Sequence, residues 1–137
     1  MSRIYLDACS IIYLVESASP FHDAIVSQLR RHAADPASRL LTSRLSCLEC
    51  RVLPIRDNNQ DLVQAYDRFF SADRLLIVEV TAEVILSATA LRARYGFKTP
   101  DAIHLASAIE ETADLFLTGD SSLARCTEIK VEILENT

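Results

Sequence analysis

Ile4-Tyr5-Leu6-Asp7-Ala8-Cys9-Ser10-Ile11-Ile12-Tyr13-Leu14-Val15 reads as a short apolar strand, a carboxylate, and then a helix opening near Ser10. The same alternation continues outward along the chain. From Pro20 to about Ala34, Phe21, Ile25, Leu29 and Ala33 recur every four positions, which is one face of a helix. Leu40-Leu41-Thr42 supplies a second strand. It leads into a helix carrying Leu45, Leu48 and Val52, which Pro54 is expected to kink or end by removing a backbone donor. Leu62, Ala65, Tyr66, Phe69 and Phe70 then define the most regular amphipathic helix in the chain.

Leu75-Leu76-Ile77-Val78 is a third strand, expected at or near a sheet edge. Val84, Ala88, Leu91 and Tyr95 mark a helix stopped at Gly96. Thr99 and Pro100 look like the cap and first turn of another, with Ala102, Leu105, Ala106, Ile109 and Ala113 as its apolar face. Leu115-Phe116-Leu117 is a fourth strand and Val131-Glu132-Ile133-Leu134 a weaker fifth. Continuous apolar strands alternating with helices predict a central, mostly parallel sheet of four to five strands covered on both faces. The expected fold class is therefore α/β, a three-layer α/β/α sandwich, as a single domain over 1–137.

Composition narrows the function. The 137 residues are 50% apolar, with mean hydropathy +0.15, so material for a core is ample. The longest unbroken apolar run, Ile11 to Val15, is far short of the roughly 20 residues that span a membrane. No secretory signal is legible at the N-terminus, so a soluble, cytoplasmic protein is expected. Two glycines exclude a Gly-rich phosphate loop or a dinucleotide fingerprint. Cys9, Cys47, Cys50 and Cys126 are expected to be reduced thiols. Cys47 and Cys50 form a CxxC, but no second pair follows at zinc-site spacing, and they read as small buried hydrophobes. The net charge of −5 argues against binding nucleic acid by bulk electrostatics, although 12 of the 14 basic residues are arginine.

Ligands of open parallel sheets bind beyond the carboxyl ends of the strands. Asp7 follows the first strand there, and Asp120 follows the fourth after a Thr118-Gly119 turn. Asp101 occupies the first turn of its helix, and Glu49 lies about two turns into the helix after strand two. Each has an ordinary explanation as a cap, a dipole partner or a turn residue. Glu49 resists it most, since its spacing from Leu45 and Val52 places it on an apolar stripe, where a carboxylate needs a partner. Four carboxylates brought together would repel, and a divalent cation removes that penalty. Oxygen-only donors suit Mg²⁺ or Mn²⁺ rather than zinc, in the setting where metals assist phosphodiester hydrolysis.

The stretches Tyr5 to Ser10, Ser46-Cys47-Leu48-Glu49, Thr99-Pro100-Asp101-Ala102-Ile103-His104-Leu105-Ala106 and Leu117-Thr118-Gly119-Asp120 resemble PIN-domain ribonucleases, and most of all VapC-type toxins. The likeness runs from Ile4 to about Leu123. It implies a metal-dependent endoribonuclease, the toxin of a type II toxin–antitoxin pair, with RNA as substrate and a VapB-like antitoxin as partner. A homodimer is a further expectation of that likeness. Asp7, Glu49, Asp101 and Asp120 fall on the family's acidic positions. One departure is Cys9, where the family often has Ser, Thr or Asn; Ser10 or Thr118 then has to supply the supporting hydroxyl.

Two alternatives stand beside this reading. A PIN-like fold without catalysis would serve as an interaction module. An aspartyl-phosphate enzyme would want an Asp where Cys9 stands and a better-placed lysine than Lys130. His104, three positions after Asp101, is open between a ligand or base and an amphipathic boundary residue. His22 and His32 read as solvent-facing. Arg44, Arg51 and Arg56 either grip phosphates or form a solvated flank, and Glu79 and Glu83 are excluded from the site as edge-strand residues.

Overall fold

A strand buried on both sides sends alternate side chains to opposite layers. In β1 (Arg3–Leu6), Tyr5 joins one apolar cluster while Ile4 and Leu6 join the other. β4 (Leu115–Thr118) repeats the division, with Phe116 on the Tyr5 side and Leu115 and Leu117 opposite. The computed structural model from which this geometry comes describes residues 2–17, 20–32 and 34–135.

Five strands form one sheet in the order β3-β2-β1-β4-β5, with every pairing parallel. β2 (Arg39–Ser43), β3 (Leu75–Val78) and β5 (Val131–Ile133) complete it. Tyr5 lies in register between Leu41 and Phe116. One face is covered by α1 (Ala8–Val15), α2 (His22–His32), α3 (Arg44–Arg56) and α4 (Gln60–Phe70), which contribute Ile11, Ile25, Cys47, Cys50, Tyr66 and Phe70. The other is covered by α5 (Ala82–Tyr95) and α6 (Thr99–Glu110), through Val84, Leu91, Ala102, Leu105 and Ala106. This is the α/β/α sandwich expected from the alternation. β3 is an edge strand, with Leu76 exposed at 41%.

Four details differ from the sequence reading. Pro54 does not end α3 at its own position; the helix runs on to Arg56 and Pro54 is buried. So near a helix end, proline forfeits a single intrahelical bond, and Asp57 still donates to the Leu53 carbonyl. Leu48 and Val52 face outward, and α3 buries Ser46, Cys47 and Cys50 instead. The stripe on which Glu49 was placed is thus a surface stripe, because the sheet is met by the small residues one position away. In α6 the cap is Lys98, not Thr99, and no side chain caps it. Ala113 falls beyond the end of that helix. Ala33, assigned to the face of α2, lies outside the described residues.

Gly96 does end α5, at φ 75°, a left-handed conformation that costs a side-chain-bearing residue about 1–2 kcal/mol. All four cysteines are free; Cys47 and Cys50 are buried as expected of small hydrophobes, and Cys126 is buried as well.

Candidate functional site

Because the strands are parallel, all of them end at one edge, and the chain reverses its direction of travel across the sheet between β1 and β4. A crevice forms at such a reversal. Asp7 closes β1 and caps α1, its Oδ1 accepting the Ser10 amide hydrogen at 3.0 Å and the Cys9 thiol at 3.1 Å. Asp120 follows β4 and caps a 3₁₀ turn over Ser121–Arg125, its Oδ1 accepting from the Ser122 amide at 2.9 Å and hydroxyl at 2.7 Å. Asp101 stands in the first turn of α6. Glu49 reaches in from the middle of α3.

All four acids line one cavity of about 660 Å³, together with Cys9, Tyr13, His104 and Gly119. Among the described residues, no lysine or arginine lines it. Gly119 lets the wall close: a Cβ there would meet Tyr13 Cε2 at 3.2 Å. Asp7, Asp120 and Glu49 each commit one carboxylate oxygen and leave the second without a hydrogen bond among the described residues. The Asp101 carboxyl is held above the ordinary carboxylate range, first by burial and then by the charges of Asp120 and Asp7.

That uncompensated negative charge fits a hard divalent cation, and the available donors are carboxylate oxygens. Among the described residues, no three His, Cys, Asp or Glu side chains are drawn together tightly enough to grip an ion directly. The arrangement suits a hydrated ion such as Mg²⁺, which keeps several waters and takes one or two carboxylates itself.

The hydroxyls divide clearly. Ser10 is fully buried and donates to the Leu117 carbonyl at 2.9 Å, so it ties α1 to the sheet. Thr118 sits beside the acids, accepting the Asp120 amide hydrogen at 3.1 Å with its oxygen 4.0 Å from the Cys9 sulfur. Cys9 is half-buried, and burial together with the Asp7 charge pushes its thiol up to about 12. It is a protonated hydrogen-bond donor to Asp7.

His104 is the residue whose part the sequence reading left open. It is 3% exposed, and its two ring nitrogens contact Glu49 Oε1 at 2.6 Å and the Tyr5 hydroxyl at 2.7 Å. Its i, i+3 spacing from Asp101 signalled the shared helix face; nothing local signalled Tyr5. His22 and His32 are half-buried and bonded, to the Tyr13 carbonyl and to Glu132, where solvent-facing residues were expected. Arg44 pairs with Glu79, Arg51 with Asp67 and Arg56 with Asp57. Glu79 and Glu83 line a different cavity.

The PIN domain family profile matches residues 4–129. Among solved structures, VapBC2 from Rickettsia felis bound to a DNA fragment from its promoter is similar over 96% of this chain and 99% of that one, with TM-score 0.77 and 19% identity. DNA-bound VapBC from Salmonella typhimurium gives TM-score 0.77 at 15% identity, covering 98% and 99%. Mycobacterium tuberculosis VapC20, a sarcin–ricin-loop-cleaving toxin, gives 0.70 at 20% identity, covering 93% and 98%. A sequence comparison with curated proteins finds no match.

Proposed function

The chain belongs to the PIN-domain family, and on that premise we propose that it is a Mg²⁺- or Mn²⁺-dependent endoribonuclease, the toxin of a type II toxin–antitoxin pair. The observation that carries the reading is the cavity at the reversal of the sheet, lined by Asp7, Glu49, Asp101 and Asp120 with no lysine or arginine among the described residues that line it. Asp7, Asp101 and Glu49 would hold the ion, one or two of them directly and the rest through its waters, and Asp120 would complete its surroundings. Once bound, such an ion offsets the charge of a phosphodiester and acidifies the attacking water.

The chain's own groups do the positioning. Asp7 is fixed by its capping bond, and the Thr118 hydroxyl fixes the turn that carries Asp120. Attack by water in line with the leaving oxygen yields 5′-phosphate and 3′-hydroxyl ends. A structurally similar toxin is described as cleaving the sarcin–ricin loop, which supports structured RNA as the substrate class proposed here.

Solved relatives that are VapBC complexes support a VapB-like antitoxin partner. An antitoxin segment presenting arginine neutralises the acidic cavity. The exposed apolar side chains of α3, Leu48, Val52 and Ile55, offer the adjoining contact surface and a face for self-association as a homodimer. Among the described residues no helix is long and apolar enough to cross a membrane, and the proposed setting is the cytoplasm.

The test is cleavage of a structured RNA by purified protein with Mn²⁺, abolished by EDTA and by Asp7→Asn. An unchanged rate in Asp7→Asn places the activity elsewhere. No binding of Mn²⁺ by calorimetry favours the non-catalytic interaction module.

A further inference from the structure

Two of the four acids are held in place by local hydrogen bonds. Asp7 and Asp120 each stand at the start of a helical turn, where unpaired backbone amides are available to grip one carboxylate oxygen. Asp101 sits on the first turn of α6 on a short side chain. Glu49 has none of this. It is in the interior of α3, where the backbone amides are already spent on the helix, and it carries the longest and most mobile acidic side chain. Its carboxylate has one hydrogen bond from the described residues, to His104.

His104 in turn is held from behind. An ionised carboxylate only accepts hydrogen bonds, so the nitrogen facing Glu49, Nε2, carries the hydrogen. In the neutral ring Nδ1 then accepts, and the Tyr5 hydroxyl donates to it. The Tyr5 ring is itself fixed, stacked on Phe116 at 5.1 Å between centroids and edge-on to His104 at 5.9 Å. A rigid column thus runs from the centre of the sheet, Phe116 to Tyr5 to His104, and ends on Glu49.

We infer that His104, braced by Tyr5, is a positioning residue that ties down Oε1 of Glu49 and leaves Oε2 for the cation. This rests on the reading that Glu49 helps hold that cation. Partners behind a metal ligand commonly change affinity by about 10–100-fold when lost. The same holds for a carboxylate ligand whose outer partner is a histidine. One helix, α6, then serves the site twice, directly through Asp101 and indirectly through His104.

The experiment measures Mn²⁺ binding to the purified protein by calorimetry, with no RNA present, for wild type, His104→Leu, His104→Gln and Tyr5→Phe. Nitrogen-15 NMR of the imidazole gives the tautomer. The Nε2–H tautomer is expected in the wild type. His104→Leu fills the same space without a donor and is expected to weaken Mn²⁺ binding at least about ten-fold. His104→Gln keeps an N–H within reach of Glu49 and is expected to restore most of it. In a Glu49→Gln background, His104→Leu is expected to add nothing further.

Undiminished Mn²⁺ affinity in His104→Leu overturns the inference. So does equal loss in His104→Leu and His104→Gln, which marks a purely structural role. Should His104→Leu not fold, Tyr5→Phe decides the matter: a shifted tautomer and weaker Mn²⁺ binding support the brace, and no change in either overturns it. Failure of the wild type to bind Mn²⁺ defeats the proposed function instead, and an Nδ1–H tautomer in that protein defeats the positioning claim on its own.

Discussion

Asp7 accepts the Ser10 amide hydrogen on the same oxygen that takes the Cys9 thiol, so the residue that starts α1 also lines the acidic cavity. Structural and chemical roles therefore coincide in one carboxylate, and two substitutions separate them. Asn caps helices about as well as Asp, whereas Ala forfeits roughly 1 kcal/mol. Asp7→Asn is expected to keep the melting temperature of the wild type while losing Mn²⁺ binding and RNA cleavage. Asp7→Ala is expected to lose both function and about 1 kcal/mol of stability. Thermal melts alongside calorimetry check this, and an Asp7→Asn protein that melts as low as Asp7→Ala contradicts the capping role.

Cys9 stands where its thiolate is opposed first by burial and then by Asp7, so its thiol is pushed up to about 12. The thiolate is the reactive species, and at pH 8 the thiol is expected to alkylate roughly 10³-fold more slowly than an ordinary cysteine. Asp7→Asn removes the second cause and speeds the reaction. Iodoacetamide kinetics with peptide mapping resolve Cys9 from the buried Cys47, Cys50 and Cys126. Alkylation at the rate of a free cysteine shows that Cys9 is not buried beside Asp7 in solution.

Asp101 supplies the pH dependence. Its carboxyl is raised above the ordinary 3.8 by burial and by Asp120 and Asp7, so the ionised form is disfavoured in the folded protein. At neutral pH this costs stability, and the cost vanishes as pH falls below the unfolded carboxylate value. Asp101→Asn is expected to stabilise the metal-free protein at pH 7 by no more than about 1 kcal/mol, given its partial exposure. The gain disappears near pH 3.5. With Mn²⁺ at a hundred-fold excess over its dissociation constant the order inverts, because the wild type alone gains about 2.7 kcal/mol from binding. Melting curves at several pH values, with and without the ion, measure both effects. A destabilised Asp101→Asn at pH 7 without metal contradicts the repulsion.

The outward face of α3 predicts a different separation. Leu48 and Val52 are 64% and 53% exposed, so Leu48→Glu with Val52→Glu is expected to move stability by no more than about 0.5 kcal/mol per site. The same pair of changes is expected to convert a dimer to monomer at micromolar concentration, read by light scattering. A wild type that is monomeric there removes the self-association reading.

What the amino-acid sequence determined by itself was the architecture and the edge at which chemistry could occur. Apolar runs such as Leu115-Phe116-Leu117 and the helical spacing from Leu62 to Phe70 are local and periodic. They reflect backbone geometry, and they survive into the folded chain without knowledge of neighbours. The positions of Asp7 and Asp120 followed from the same rule, since parallel strands all end on one side.

Tertiary structure alone decided which face of α3 is buried and what holds Glu49. Leu48, Val52 and Leu45 look like a core stripe in isolation, yet the sheet accepts only the smaller Ser46, Cys47 and Cys50, and so Glu49 turns toward α6. The bond between Glu49 and His104 joins residues 55 positions apart, and that between Tyr5 and His104 spans 99. No periodicity encodes such pairs; they arise from strand register and from how close two helices can approach the sheet between them.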